Sequence, residues 1–158
     1  MKAAWITWRA LWSGDEHPRV MASVRIAFSS VFLYDLLQIW RFHLVVPLWG
    51  PADAGGMGQP DRQGQVVELY QWFAADVHTA RLAFGGLVLA VASLAAGLFS
   101  QLAALVAVLV YAQLARVLPE ADRGIDLLLR NVLLLFVFVP SGRFAGLDAY
   151  IFGRLHRI

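Results

Sequence analysis

The chain has 158 residues, of which 59% are apolar and 15% charged, with a mean hydropathy of +0.63. Soluble domains run at about 45–50% apolar and about 25% charged, so the composition is that of an integral membrane protein, with one domain over 1–158. A net charge of +2 without any basic run sets nucleic-acid binding aside, and the lack of cysteine removes disulfides, thiolate metal sites and a cysteine nucleophile.

Lys2 and Arg9 straddle the first apolar residues instead of preceding them, and no small-x-small site follows. A cleavable signal peptide is therefore not expected, and the first spanning helix is expected to direct insertion. Trp5, Trp8 and Trp12 fall at i, i+3 and i+7, one face of a helix. Indoles favour the headgroup region, which predicts an N-terminal interfacial amphipathic helix; a short helix packed on the end of a bundle has the same spacing.

After the polar turn Ser13–Pro18, the first long helix is predicted over about 20–48. At ~1.5 Å per residue it would reach ~40 Å against a hydrocarbon core of ~30 Å. Arg25 and Arg41 would then snorkel toward opposite faces, leaving Asp35 deeper. An intramembrane carboxylate is a functional candidate by default, and an acid that merely ties helices together is the equal alternative. Residues 47–60 are rich in Gly and Pro and form a loop; no Lys-Ser/Thr and no helix start follow the glycines, so they are not a P-loop.

Residues 64–78 carry Val66, Leu69, Tyr70 and Phe73 at helical spacing, predicting a second short amphipathic helix in this first long loop. His78, beside Asp76, is either an acid/base group or, more commonly for a lone histidine at a helix entrance, structural. Further spans are predicted at about 79–99, 101–118 and 121–139. Gly86-x3-Ala90 and Ser93-x3-Gly97 are small-x3-small pairs that admit a close neighbour, with Ser100-Gln101 as a minimal turn. Tyr111 and Gln113 lie inside the third span, Gln113 as helix-to-helix glue or as a ligand. The fourth opens with Asp126 and Arg130, four apart on one face, then Asn131 and an apolar run to Val139.

The expected fold is an all-α, integral membrane four-helix bundle with these two amphipathic helices. Lys2, Arg9, Arg19, Arg143, Arg154 and Arg157 collect on the side of the termini, which places both termini in the cytoplasm of a bacterial inner membrane. The polar set Asp35, Tyr111, Gln113, Arg130 and Asn131 is the candidate ligand site, with Arg130 paired to Asp126 or to a group on the first helix. Gly142 is read as a backbone turn after Pro140, and Asp148 as a cap for a following helix. The histidines are widely separated with no i, i+4 pair, so neither a metal site nor a haem between His43 and a second histidine is expected. No nucleophile elbow is present, and the sole lysine is Lys2.

Val24-Arg25-Ile26-Ala27, Tyr34-Asp35-Leu36-Leu37, Arg41 and Gly55-Gly56, with Asp126-x3-Arg130, Pro140-x-Gly142 and Leu147-Asp148-Ala149, resemble the HTTM domain. This is the family of bacterial membrane relatives of the vitamin K-dependent gamma-carboxylase. The resemblance matches the family's N-terminal four-helix part only and implies a helical membrane module with polar residues grouped near one bilayer face. The family's catalytic lysine lies in a later part that this sequence does not match, so carboxylation is not implied. Three roles follow as expectations. The first is a non-catalytic subunit or accessory component of a larger membrane protein complex. The others are a quinone- or lipid-binding oxidoreductase component of DoxX-like outline, and one half of a split carboxylase-like enzyme.

Overall fold

The computed structural model describes residues 18–59, 61–62, 65–139, 146–147 and 150. The N-terminal indole-bearing segment, Gly142, Asp148 and the C-terminal arginines lie outside the described residues. The elements are α1 (Pro18–Arg41), α2 (Val45–Trp49), α3 (Glu68–Trp72), α4 (Val77–Ala96), α5 (Ser100–Val117) and α6 (Gly124–Phe138). Short 3-10 turns occur at Ala52–Ala54 and Pro119–Ala121. The fold is helical apart from a minimal antiparallel ladder of β1 (Asp61–Arg62) and β2 (Gln65–Val66).

Three helices are long and apolar enough to cross a membrane: Val20–Arg41 within α1, α4 and α5. The expected fourth span is shorter than predicted, because α6 has 15 residues, about 22 Å at 1.5 Å per residue. The 3-10 turn and the extended backbone of Asp122 and Arg123 take up the residues that the apolar pattern assigned to the helix.

The first predicted helix is also divided. α1 stops at Arg41 because His43 adopts a left-handed conformation (φ 55). The His43 amide donates to the Trp40 carbonyl and the Leu44 amide to the Ile39 carbonyl, each at 3.0 Å. This is the pair of hydrogen bonds of a Schellman stop, with histidine where glycine is usual. Gly97 ends α4 in the same way (φ 69), its amide donating to Leu94 and that of Leu98 to Ser93. Gly97 therefore serves as a helix stop, and its missing side chain also lets α1 come close through Arg25. The α4–α5 turn falls at 97–99, ahead of the predicted Ser100-Gln101.

α4 packs against both α1 and α5, and α5 against α6. Phe84, Leu87, Val91 and Leu94 of α4 are fully buried, as are Ala104, Ala107 and Leu114 of α5. Alanines at these positions let the two backbones approach closely. Phe28 meets Phe136 at 5.6 Å between centroids and Phe32 meets Tyr111 at 5.1 Å, linking α1 to α6 and α5. Val31, Leu82, Leu89, Leu109, Leu135 and Phe138 point outward and exposed, as a lipid-facing surface requires.

Arg25 corrects a second expectation. It does not snorkel to a face but is completely buried in α1. Its guanidinium lies against Gly97, where a Cβ would come within 2.8 Å of Arg25 Nη2 and 2.6 Å of Gly146 Cα. The missing side chain at Gly97 is what leaves room for it.

The loop between α1 and α4 folds back on the end of the bundle. The Gln59 amide donates to the Val117 carbonyl at 2.9 Å, the Tyr70 hydroxyl to the Trp49 carbonyl at 3.3 Å, and Arg116 pairs with Glu68. Trp49 stacks on Phe84 at 5.5 Å. The amphipathic helix predicted over 64–78 is confined to Glu68–Trp72, since β2 uses Gln65 and Val66 while Asp76 caps α4. His78 falls in the first turn of α4.

Backbone closeness in the Gly-rich loop predicts a sharp contrast between neighbouring substitutions. A Cβ at Gly56 would overlap the Gly50 carbonyl group, whereas nothing lies within 4 Å of a Cβ at Gly86. Gly56→Ala is expected to lower unfolding stability in detergent by about 1–3 kcal/mol, as overpacking does. Gly86→Ala is expected to leave it unchanged or raise it. Thermal unfolding of the two variants checks both.

Candidate functional site

Asp126 stands at the third position of α6, and Arg123 is its N-cap with extended backbone. From there the carboxylate reaches back to accept the Arg123 amide at 2.8 Å and Arg123 Nε at 3.3 Å through Oδ2. Its other oxygen accepts the Tyr111 hydroxyl of α5 at 2.6 Å. A carboxylate that satisfies the first amides of a helix also complements the helix dipole. The Arg123 side chain itself is two-thirds exposed while that of Asp126 is 9% exposed, so the pair links the buried junction to the outside.

Arg130 does not pair with Asp126, as the four-residue spacing suggested. Its Nη2 binds Asp122 Oδ2 at 2.6 Å, and its guanidinium carbon lies 5.9 Å from the Tyr111 ring centroid. The physical reason is occupancy: Asp126 already accepts three donors, so Arg130 reaches across the helix start to the next carboxylate.

Above this junction lies a partly open cavity of about 290 Å³. Asp35, Leu36 and Ile39 of α1 face it from one side, Leu48 and Trp49 of α2 from another, and Tyr111, Arg123 and Asp126 from a third. Such a volume is at the lower end of the ~300–1,000 Å³ of small-molecule pockets, and a mostly apolar wall with a few polar groups is their usual construction.

Of the five sequence-predicted site residues, Asp35 and Tyr111 line this cavity, and Arg130 adjoins it through Asp122 and Tyr111. The other two do not belong. Asn131 is exposed and does not line it. Gln113 does not line it, and its buried Oε1 has no hydrogen-bond partner among the described residues. The expected bond from Gln113 across the membrane helices is therefore not made there. Sequence reasoning missed Arg123, Asp122, Leu48 and Trp49. An Arg-x2-Asp spacing at a helix start was the available signal for Arg123.

His43 lines a separate cavity of about 340 Å³ with Trp40 and Arg81, and no second histidine shares it. Among the described residues, no group of three His, Asp or Glu side chains is placed to hold a metal ion.

Outside the spans, two carboxylates are held below their ordinary pKa. Glu68 is lowered chiefly by its hydrogen bond to Arg116, and Asp76 by the Thr79 amide, which donates to Oδ1 at 2.7 Å at the start of α4. Comparison with protein-family models, curated proteins and solved structures finds no match to this chain.

Three variants test these bonds. Tyr111→Phe removes the α5–α6 link while keeping the ring, and is expected to reduce unfolding stability by about 1–2 kcal/mol. Asp126→Ala, which strands two Arg123 donors as well, is expected to cost more. Chemical unfolding in mixed micelles measures both. For Asp76, a lowered folded pKa means that its capping contribution is complete above the ordinary value of 3.8 and is lost as pH falls below it. Asp76→Ala is therefore expected to lower the melting temperature at pH 7 and to show less acid destabilisation than the parent below about pH 4.

Proposed function

We propose that this chain is a non-catalytic, membrane-integral binding component that holds the polar head of a lipid-soluble molecule at one end of its helices. The observation that carries this is the cavity itself. It joins a carboxylate on α1 to apolar side chains of α1, α2 and α5 and to the Tyr111–Asp126–Arg123 junction. A polar patch at membrane depth beside an apolar wall suits a ligand with one polar end and one apolar end. In this proposal α6 acts as a fourth membrane helix, thinning the bilayer locally or tilting little, as a short span does. The HTTM resemblance adds support, since it implies polar residues grouped near one bilayer face.

A second proposal, that the chain serves as an accessory subunit of a larger membrane complex, is favoured by a specific feature. Gly85 and Gly86 of α4 face open space, beside an apolar groove formed by Leu89, Leu102 and Val106. That small-residue surface is unused within the described residues.

The test is purification of the full chain from its native membrane in mild detergent, with mass spectrometry of everything that accompanies it. A small molecule is expected, and Ala115→Leu, which projects into the cavity, is expected to reduce its amount at least about tenfold. Equal retention by Ala115→Leu would remove the pocket proposal, and stoichiometric protein partners would shift the weight to the subunit.

A further inference from the structure

The charges around the cavity do not balance. Asp122 is paired with Arg130 at 2.6 Å, and Asp126 is satisfied by Arg123 and Tyr111. Asp35 lines the same cavity as an exposed side chain whose charge acts on Arg123 and Tyr111, but it has no hydrogen bond or ion pair to either among the described residues. With three carboxylates against two guanidinium groups, one negative charge is left over, and it sits on the α1 wall. In the binding proposal this charge faces the apolar end of the cavity, where it is expensive unless a cation joins it.

Two aromatic side chains, Trp49 and Tyr111, share the wall with Asp35. Tyr111 already takes one cation near its ring, the Arg130 guanidinium at 5.9 Å. Aromatic faces together with a carboxylate are how proteins recognise alkylated ammonium groups, whose weakly hydrated methyls also suit apolar contacts. Leu36, Ile39 and Leu48 supply those contacts. A bare metal ion fits poorly, because hard cations require several oxygen ligands and this wall is mostly apolar.

We infer that the ligand of this cavity is a cationic amphiphile whose alkylammonium head is held by Asp35 in the wall that it shares with Trp49 and Tyr111. The inference rests on the binding proposal above and names the chemical class of its ligand. The same head chemistry is presented by a choline-type lipid and by a free alkylamine.

The experiment uses the purified full chain in a neutral maltoside detergent. Thermal-unfolding midpoints are followed during titration with octyltrimethylammonium or with uncharged octan-1-ol. The cation is expected to bind at least about tenfold more tightly than the alcohol, and Asp35→Asn is expected to abolish that preference. The comparison on the unaltered protein stands even if Asp35→Asn fails to fold. Added phosphatidylcholine that competes with the cation identifies a lipid headgroup as the source, and absence of competition identifies a free amphiphile; both support the inference. Equal binding of the two probes, weakened for both by Ala115→Leu, overturns the ligand class and leaves the pocket standing. Cation preference that survives Asp35→Asn also overturns the role of Asp35. If neither probe shifts the midpoint and Ala115→Leu retains the co-purifying species, the pocket and its ligand class fall together.

Discussion

The Asp126 carboxylate accepts the Arg123 amide, Arg123 Nε and the Tyr111 hydroxyl, and, buried against the candidate membrane helix α5, it has little water to replace any of them. An apolar solvent makes satisfaction of buried polar groups the governing constraint on a helix start, since each unmet group costs far more there than in water. The consequence spreads outward. With Asp126 saturated, Arg130 turns to Asp122, which fixes the segment before α6. The Tyr111 bond fixes the register of α5 against α6, and the Phe32–Tyr111 contact carries that register to α1. One buried acid thus relates three helices, and the cavity is the space left between them and the returning loop.

The loop is the second half of this construction. A chain that must return from the end of α1 to the start of α4 could have stayed in solvent, yet it is drawn onto the bundle by Gln59, Tyr70 and Glu68. The Schellman stop at His43 makes this possible by turning the chain back over α1 after Arg41. Trp49 is then delivered onto Phe84, so that an indole that the sequence left in a loop becomes part of the core and a wall of the cavity. The glycines at 50, 56 and 58 serve close backbone packing, because side chains there would strike the carbonyls of residues 46–50.

Helical character and the membrane setting were legible from composition and from apolar run lengths, which report directly on the solvent that a segment prefers. The helix ends were less so. A histidine in a left-handed conformation carries no sequence signature comparable to glycine, so α1 read straight through to 48. Gly97, at small-x3-small spacing, does admit a neighbouring helix through Arg25, but its left-handed conformation makes it a stop as well, which the spacing did not show. Asp35 and Tyr111 could be chosen because polar groups inside apolar runs are conspicuous. Their neighbours Arg123, Leu48 and Trp49 could not, since they come together only through tertiary folding. Arg130 was recognised while its partner was not, because helical spacing shows which groups can meet and not which is already occupied.

Placement explains how Asp35, exposed and without a hydrogen bond among the described residues, is tolerated. It lies six residues before Arg41, so at about 1.5 Å per residue it stands about 9 Å below the end of α1. In the binding proposal, with the end of α1 at the bilayer face, that is near the boundary between headgroups and acyl chains, where an amphipathic group buries its apolar part by about 5–10 Å. Leu48 and Trp49 reach the cavity from the returning loop, Arg123 from the start of α6 and Asp35 from α1. A carboxylate placed there need not be solvated by protein, provided that the molecule entering from the membrane brings the opposite charge with it.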